Sequence, residues 1–212
     1  MKKYFLFHSL IAIVLVMFTI TFSTKIVYNF KPLYYYDIVN LNIEETSNLS
    51  LTSIKSNYNY IIDYLNENNT HEFKLPSLPS SKDAITHFSQ VKNVFKILNY
   101  IFYFSMLLLI LVIIITTKLK QFLYLKISSI LILAMPILLL PLSLINFDTT
   151  FTLFHKIIFH NSLWLFNPEK DPVILMLPQN FFMHCFIFII LLNFLCGLLY
   201  ILIYKMTLKN SQ

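Results

Sequence analysis

Four long apolar stretches dominate the pattern of hydrophobic and polar positions along the chain, at residues 4–23, 98–117, 122–145 and 183–204. Each has close to the roughly 20 residues that a helix needs to cross a hydrocarbon core of about 30 Å. None contains Asp or Glu, and the one Lys within them, Lys126, lies near a stretch end, where its ammonium can reach water. The pattern predicts an all-α membrane protein with four transmembrane helices in a single domain, residues 1–212.

The first apolar stretch follows Lys2 and Lys3, as the apolar region of a signal peptide would. Its apolar part is longer than the roughly 7–15 residues typical of a signal peptide, and no clean small-residue cleavage site follows it. We therefore predict an uncleaved membrane anchor.

The distribution of lysines predicts the orientation of the four helices. The remaining nine lysines and all ten acidic residues lie in two long connections, residues 24–97 (loop one) and 146–182 (loop two). By the positive-inside rule, both termini and the turn near Lys118 face the cytoplasm, and both loops lie outside. Seven lysines flank the spans on the predicted cytoplasmic side: Lys2, Lys3, Lys118, Lys120, Lys126, Lys205 and Lys209.

Composition agrees with a membrane protein and argues against binding nucleic acid. The chain is 57% hydrophobic and 12% charged, with a mean hydropathy of +0.68, and a soluble domain of this size could not bury so much apolar surface. Its net charge of +6 comes without any Arg, the residue on which base reading and bidentate phosphate binding rely. The two cysteines, Cys185 and Cys196, lie about 16 Å apart along one predicted helix and cannot form a disulfide.

Loop one has the pattern of an amphipathic helix. Ser50 or Thr52 is suited to cap its start, and it ends near Glu67. The opening of the loop, residues 25–43, alternates aromatic and polar residues, which favours a position along the membrane interface. Apolar residues recur at helical spacing at Ile54, Tyr58, Ile61, Ile62 and Leu65.

A second helix is predicted to begin near Ser81, after Pro76 and Pro79, and to continue into the second span. His87 shares a face with the apolar residues of this helix, about two to three turns above the membrane end of the span. This spacing alone leaves two interpretations open, an inward-facing histidine and a surface histidine.

Loop two is too polar to span a membrane but has a density of aromatic and aliphatic residues that soluble loops lack. Such a segment is typical of the membrane interface. His155 and His160 stand five residues apart and diverge by about 140° on a helix, so they do not match the paired zinc ligands of a helix, which are four apart. His155 therefore has three interpretations: metal ligand, packed core histidine, or base at the membrane surface.

Four short stretches of the two loops stand out as motifs: FHKIIFHNSLW at 154–164, NPEKD at 167–171, LPQNFF at 177–182 and HFSQVK at 87–92. They resemble the motifs F-H-x-x-F-F-x-N-x-x-W, P-x-x-D, P-x-x-F-F and H-x-x-D-V-K of the bacterial lipoprotein intramolecular transacylase family. The sequence has Ile158 where the family usually has Phe, and Gln90 where it has Asp.

This resemblance implies a reaction on diacylated bacterial lipoproteins in the plasma membrane. The enzyme would move the sn-2 acyl chain of the diacylglyceryl-cysteine to the α-amino group of the same cysteine, giving a lyso-form lipoprotein. Membrane lipids would be its surroundings, and we predict neither a cofactor nor a metal. The sequence leaves the oligomeric state open.

Ester aminolysis needs a base, an oxyanion donor and a proton for the leaving oxygen. We predict His155 as the base and His87 as the donor, although the sequence also allows exchanged roles. Asn161 is an oxyanion donor or a helix cap, Trp164 an interfacial anchor or a substrate contact, and Asp171 a ligand for the substrate amine or a turn residue.

Three other functions compete with this hypothesis. A transporter subunit would usually carry ionisable residues inside the membrane, where these spans have no acids. A non-catalytic lipid- or lipoprotein-binding protein could use the same aromatic loops, and a metal-dependent hydrolase would depend on a bound ion.

Overall fold

The computed structural model describes residues 2–67 and 71–209, and the described chain is helical, with no strand. The helices in chain order are α1 (Lys2–Asn29), α2 (Lys31–Asn40), α3 (Ile43–Ser47), α4 (Leu51–Asn66), α5 (Lys82–Leu119), α6 (Leu123–Ile145), α7 (Phe147–Phe159), α8 (Val173–Met176) and α9 (Gln179–Lys209).

Four of these helices, α1, α5, α6 and α9, are long and apolar enough to cross a membrane, which confirms the predicted number. Helix α5 has 38 residues and is about 57 Å long at 1.5 Å per residue, nearly twice the hydrocarbon thickness. The predicted span covers residues 98–117 of this helix, so its first turns, including His87, precede the predicted span. The exact ends of the spans and loops stay predictions.

The chain divides into two compact units. Unit 1 contains Met1–Val27, Leu98–Leu142 and Ile187–Gln212. Its helices pack closely around Gly197, the only glycine of the sequence, where a Cβ would lie 2.9 Å from the Leu133 side chain. Polar pairs also join its helices: the Thr19 and Tyr200 hydroxyls lie 2.7 Å apart, and Ser23 donates to Asn193 at 3.1 Å.

Unit 2 contains Tyr28–Ile97 and Ser143–Phe186. Its core includes α4, whose start is capped by Ser50 as predicted, with the Ser53 N–H donating to Ser50 Oγ at 3.3 Å. The Tyr58 ring of α4 stacks on the Tyr34 ring of α2, with centroids 3.7 Å apart. The helix α2 was not predicted. Pro32 lies in its first turn, a position where proline favours a helix start.

Candidate active site

Hydrogen bonds between Ser81 of loop one and Asp171 of loop two hold the first turn of α5 in place, and we call this pair the clamp. The Ser81 side chain caps the helix by accepting from the Ala84 N–H at 3.1 Å. The carboxylate of Asp171, which is buried, accepts from the Ser81 N–H at 2.7 Å and from the Ser81 hydroxyl at 2.8 Å. This clamp fixes the start of the helix that carries His87.

Helix α7 presents His155, which is its one buried residue. Asn146 caps the start of the helix, accepting from the Thr149 N–H at 3.0 Å, and His160 ends it in the left-handed conformation. The apolar residues on its other faces, including Leu153, are exposed. The helix therefore turns one imidazole inwards and leaves its aliphatic side chains uncovered.

The two helices bring His87 and His155 together, with ring centroids 6.0 Å apart. Aromatic rings surround the pair. Phe159 contacts both imidazoles, at 4.8 Å from His87 and 5.6 Å from His155, and Phe166 lies 5.5 Å from His87. Trp164 lies 4.7 Å from His155. The site is thus a pair of imidazoles with apolar walls, and His87 is inward-facing.

The two imidazoles differ in their hydrogen bonds. His155 Nδ1 lies 2.7 Å from the carbonyl oxygen of Phe151, one helical turn earlier. A carbonyl only accepts, so Nδ1 carries the proton and donates, and Nε2 keeps a lone pair. His87 Nδ1 is buried, and no atom of the described residues forms a hydrogen bond with it.

Burial in these apolar surroundings keeps both histidines uncharged at neutral pH. Desolvation, with a smaller electrostatic contribution from the neighbouring His155, lowers the pKa of His87 to about 4. Desolvation also lowers the pKa of His155, against the opposing effect of the Phe151 carbonyl, which favours the charged form. Both rings are therefore neutral at pH 7.

Asn161 connects the end of α7 to α5. Its Nδ2 donates to Gln90 Oε1 at 3.2 Å and to the Phe159 carbonyl at 2.9 Å, and its backbone carbonyl accepts from Trp164 Nε1 at 2.9 Å. Gln90 stands where the family has Asp, and its side-chain oxygen acts here as an acceptor, which a carboxylate could also do. Asn161 thus anchors the turn that places Trp164 on His155.

Asp171 and His160 do not belong to the histidine pair. Both Asp171 oxygens contact Ser81, and its backbone N–H donates to the Asn167 carbonyl at 2.8 Å, closing a turn. His160 is an exposed helix cap. Within residues 2–67 and 71–209, no three His, Cys, Asp or Glu side chains lie together as a metal site would require.

A second polar pair, with a buried carboxylate, lies elsewhere in unit 2 and was not predicted. His184 Nδ1 lies 2.9 Å from both carboxylate oxygens of Asp37, which is fully buried on α2. The signal in the sequence was the single acidic residue in the aromatic stretch Tyr34-Tyr35-Tyr36-Asp37-Ile38. An acid there needs a partner, but the sequence does not indicate that the partner is 147 residues away.

The model of one protein family, described as lipoprotein intramolecular transacylase Lit, matches residues 9–182. No curated protein sequence matches the chain. The membrane integral lipoprotein intramolecular transacylase Lit from Bacillus cereus, solved in meso, superposes with a TM-score of 0.95 at 33% sequence identity. That alignment covers 99% of this chain and 98% of the other.

Two variants of the Bacillus cereus protein, in which a histidine is replaced by alanine or by arginine, are also similar. Their TM-scores are 0.88 and 0.82, at 33% and 35% identity, and each alignment covers 99% of this chain and 96% of the variant.

Proposed function

The chain belongs to the family of lipoprotein intramolecular transacylases, and from that membership we propose how its histidine pair moves an acyl chain. The protein is a bacterial multi-pass membrane protein and an acyltransferase that acts on lipoproteins. The observation that carries the proposed mechanism is the pair of buried, neutral imidazoles 6.0 Å apart within aromatic walls.

The proposed substrate is a diacylated lipoprotein whose N-terminal cysteine carries a diacylglyceryl group and a free α-amino group. In the reaction the amine nitrogen attacks the carbonyl carbon of the sn-2 ester. A C–N amide bond forms, the C–O ester bond breaks, and the amine proton ends on the glyceryl oxygen. The product is an N-acylated lyso-form lipoprotein with the same atoms as the substrate.

His155 is the proposed general base. The Phe151 carbonyl holds the proton of the imidazole on Nδ1, which leaves Nε2 free to accept one. The α-amino group of a peptide has a pKa of about 7.7–8.0, so a large share of the substrate is ammonium at neutral pH. The ammonium form first loses one proton to water, which leaves a neutral amine with a lone pair. Nε2 then removes a second proton from the nitrogen as the C–N bond forms and delivers it to the glyceryl oxygen as the ester bond breaks.

His87 is the proposed oxyanion donor. Its lowered pKa keeps the ring neutral. The buried Nδ1, which has no hydrogen-bond partner among the described residues, favours the tautomer that carries the proton on Nε2. Such an N–H donates to the carbonyl oxygen while negative charge develops there, without losing its own proton. The apolar walls strengthen this interaction because they exclude water.

The apolar walls around the histidine pair favour acyl transfer to the amine over hydrolysis of the ester by water. Water that reached the ester would compete with the amine as a nucleophile. The amine and the ester belong to one molecule, so holding both at the histidines supplies much of the rate through orientation, and the mechanism needs no covalent enzyme intermediate.

Three further residues have proposed roles around the pair. Trp164 packs on His155 and lies where it can contact the substrate, and Asn161 holds the Trp164 turn in place. Asp171 is proposed as a positioning residue for α5, because both of its oxygens are engaged by Ser81.

We also propose that the histidine pair lies at the outer face of the membrane and that both termini are cytoplasmic, which the lysine distribution supports.

The test replaces each histidine and follows the acyl chain on a synthetic diacylated lipopeptide in detergent micelles by tandem mass spectrometry. His155→Gln should lower the rate at least about 10²-fold, because a general base contributes roughly 10²–10⁴-fold. His87→Leu should lower it by about 10²–10³-fold, the effect of removing one oxyanion donor.

The matched control is His160→Asn, which removes the exposed histidine at the end of α7 and keeps a residue that tolerates the left-handed conformation. Its rate should equal that of the wild type. A wild-type rate in His155→Gln would contradict the base assignment. A wild type that binds the lipopeptide but leaves its acyl chain on the glycerol would support a non-catalytic binding protein instead.

A further inference from the structure

The sequence of unit 1 contains no acidic residue. All ten Asp and Glu of the protein belong to unit 2, together with eight of the sixteen lysines, whereas unit 1 has the other eight lysines. The formal charges are therefore +8 for unit 1 and 8 − 10 = −2 for unit 2, which sum to the net +6 of the chain. An excess of positive charge without carboxylates favours an external anion.

A cavity of about 240 Å³ lies within unit 1, at the turn between α5 and α6. Its polar lining comes from α1, this turn and α9, and none of the lining residues is acidic. Phe122, Leu123 and Leu208 give it an apolar side. The polar lining residues are His8, Lys120, Gln121, Tyr204 and Thr207.

His8 is the observation that points to a ligand. It lines this cavity but is only 4% exposed, and its Nδ1 is buried with no hydrogen-bond partner among the described residues. A buried polar atom without a partner is costly, and the His8 imidazole stacks on the Tyr124 ring. A rotation of the His8 ring towards the cavity would let an anion there accept a hydrogen bond from the imidazole.

Lys120 is placed beside the cavity by an unusual helix end. The Gln121 N–H donates to the Thr116 carbonyl at 2.9 Å and the Lys120 N–H to the Thr117 carbonyl at 3.3 Å, the two bonds of a Schellman motif. Lys120 occupies the left-handed position, with φ of 52°, where glycine is usual. These bonds occupy carbonyls at the end of α5 that would otherwise repel an anion.

We propose that this cavity binds a phosphate group, supplied by the headgroup of an anionic phospholipid. Lys120 provides the charge, and His8, Gln121 and Tyr204 provide hydrogen-bond donors. The apolar side contacts the glycerol and the first methylenes of the acyl chains. The site lies entirely in unit 1 and does not depend on the proposed reaction of the histidine pair in unit 2.

The test measures lipid binding by native mass spectrometry of the whole, delipidated protein in detergent. Phosphatidylglycerol, diacylglycerol with the same chains and inorganic phosphate are added in separate arms. Wild-type protein should bind one phosphatidylglycerol at least about fivefold more tightly than diacylglycerol, since a lysine near a lipid surface contributes about 1 kcal/mol. Saturation by inorganic phosphate at a similar concentration would assign the site to free phosphate and overturn its assignment to a lipid.

The informative variant is Lys120→Gly. Glycine relieves the left-handed backbone, so this variant should unfold at the same temperature as the wild type or higher, while its affinity for phosphatidylglycerol falls about fivefold. His8→Phe should also weaken the binding. The matched control is Lys118→Ala, an exposed lysine outside the cavity lining, which should bind as the wild type does.

Unchanged phosphatidylglycerol affinity in both Lys120→Gly and His8→Phe would overturn the proposal. So would a loss of binding in His155→Gln with none in Lys120→Gly, because that result would locate the lipid at the histidine pair.

Discussion

His87 and His155 have the same side chain but different proposed roles. The contacts of their ring nitrogens make the difference. The Phe151 carbonyl determines which nitrogen of His155 carries the proton. In the part of the chain that the structure describes, no comparable contact fixes His87 Nδ1. The acceptor for His155 is a backbone atom of its own helix, so the orientation of this ring needs no side-chain partner. A base can therefore be oriented here without the carboxylate that usually completes a catalytic triad.

The lowered pKa values of the two histidines predict that acid destabilises the protein. An unfolded histidine titrates near pH 6.5, and His87 in the folded protein near pH 4. The unfolded chain then binds more protons, so this stability is fully present above about pH 6.5 and is lost as the pH falls towards about 4. For His87 the loss between pH 7 and pH 5 is about 2 kcal/mol.

This loss can be measured as the free energy of unfolding in detergent at pH 7 and pH 5. In His87→Phe the difference between the two pH values should shrink by about 2 kcal/mol. An equal difference in the variant and the wild type would show that His87 is not buried in its neutral form.

The roles of the two loops could be predicted only in part from single residues. The 3.6-residue period placed His87 on the apolar face of its helix, and the family motif singled out His155. His87 and His155 lie 68 positions apart in the sequence, and no local pattern predicts that two such distant residues are in contact. The clamp of Ser81 by Asp171 spans 90 positions and was not predicted for the same reason.

Among the helices, α4 and α5 were predictable because each combines a start signal with a sustained apolar period. The short helices α2 and α3 were not. The stretch of α2 is short and aromatic and α3 has only five residues, so no period emerges in either. The burial of α2 depends on tertiary contacts such as Tyr34 against Tyr58.

Asp171 was given two interpretations, a turn residue and a ligand for the substrate amine. Its contact with the start of α5 leads to a prediction that distinguishes them. Asp171→Ala removes a charged acceptor of two hydrogen bonds, so the free energy of unfolding should fall by about 2–4 kcal/mol. The control is Glu169→Ala, the exposed acid in the same turn, which should leave stability unchanged. If Asp171 instead binds the substrate amine, Asp171→Ala will raise KM while its unfolding matches the wild type.

The contact between α2 and α9 gives a second prediction at this scale. His184→Leu leaves the carboxylate of Asp37 buried without its partner and should cost about 3–5 kcal/mol of unfolding free energy. The double variant Asp37→Leu/His184→Leu removes both polar groups and should be more stable than His184→Leu alone. If the double variant is the less stable one, the two groups act independently and the prediction fails.

At the scale of the whole molecule, the four apolar stretches were sufficient to predict the fold class and the number of spans. This success has a simple physical basis, since a bilayer imposes one length and one polarity on every helix that crosses it. The division into two compact units is a tertiary property. The charge difference between the units was visible in the sequence only as a distribution of lysines and acids along the chain.

The uncovered aliphatic side chains of α7 have a consequence for how this enzyme meets its substrate. His155 is carried by a helix on which Leu153 and Ile157 are more than half exposed, so we expect lipid tails or detergent to complete the proposed site around it. Reaction then occurs in two dimensions. The quantity that governs its rate is the surface density of lipoprotein rather than its amount per volume of water.

Adding detergent at constant enzyme and lipopeptide should therefore slow acyl transfer in proportion to the mole fraction of lipopeptide in the micelles. Diluting the whole sample with buffer that contains detergent at its critical micelle concentration should leave the turnover rate per enzyme unchanged. A rate that instead followed the bulk lipopeptide concentration would mean that the substrate reaches the histidines from water.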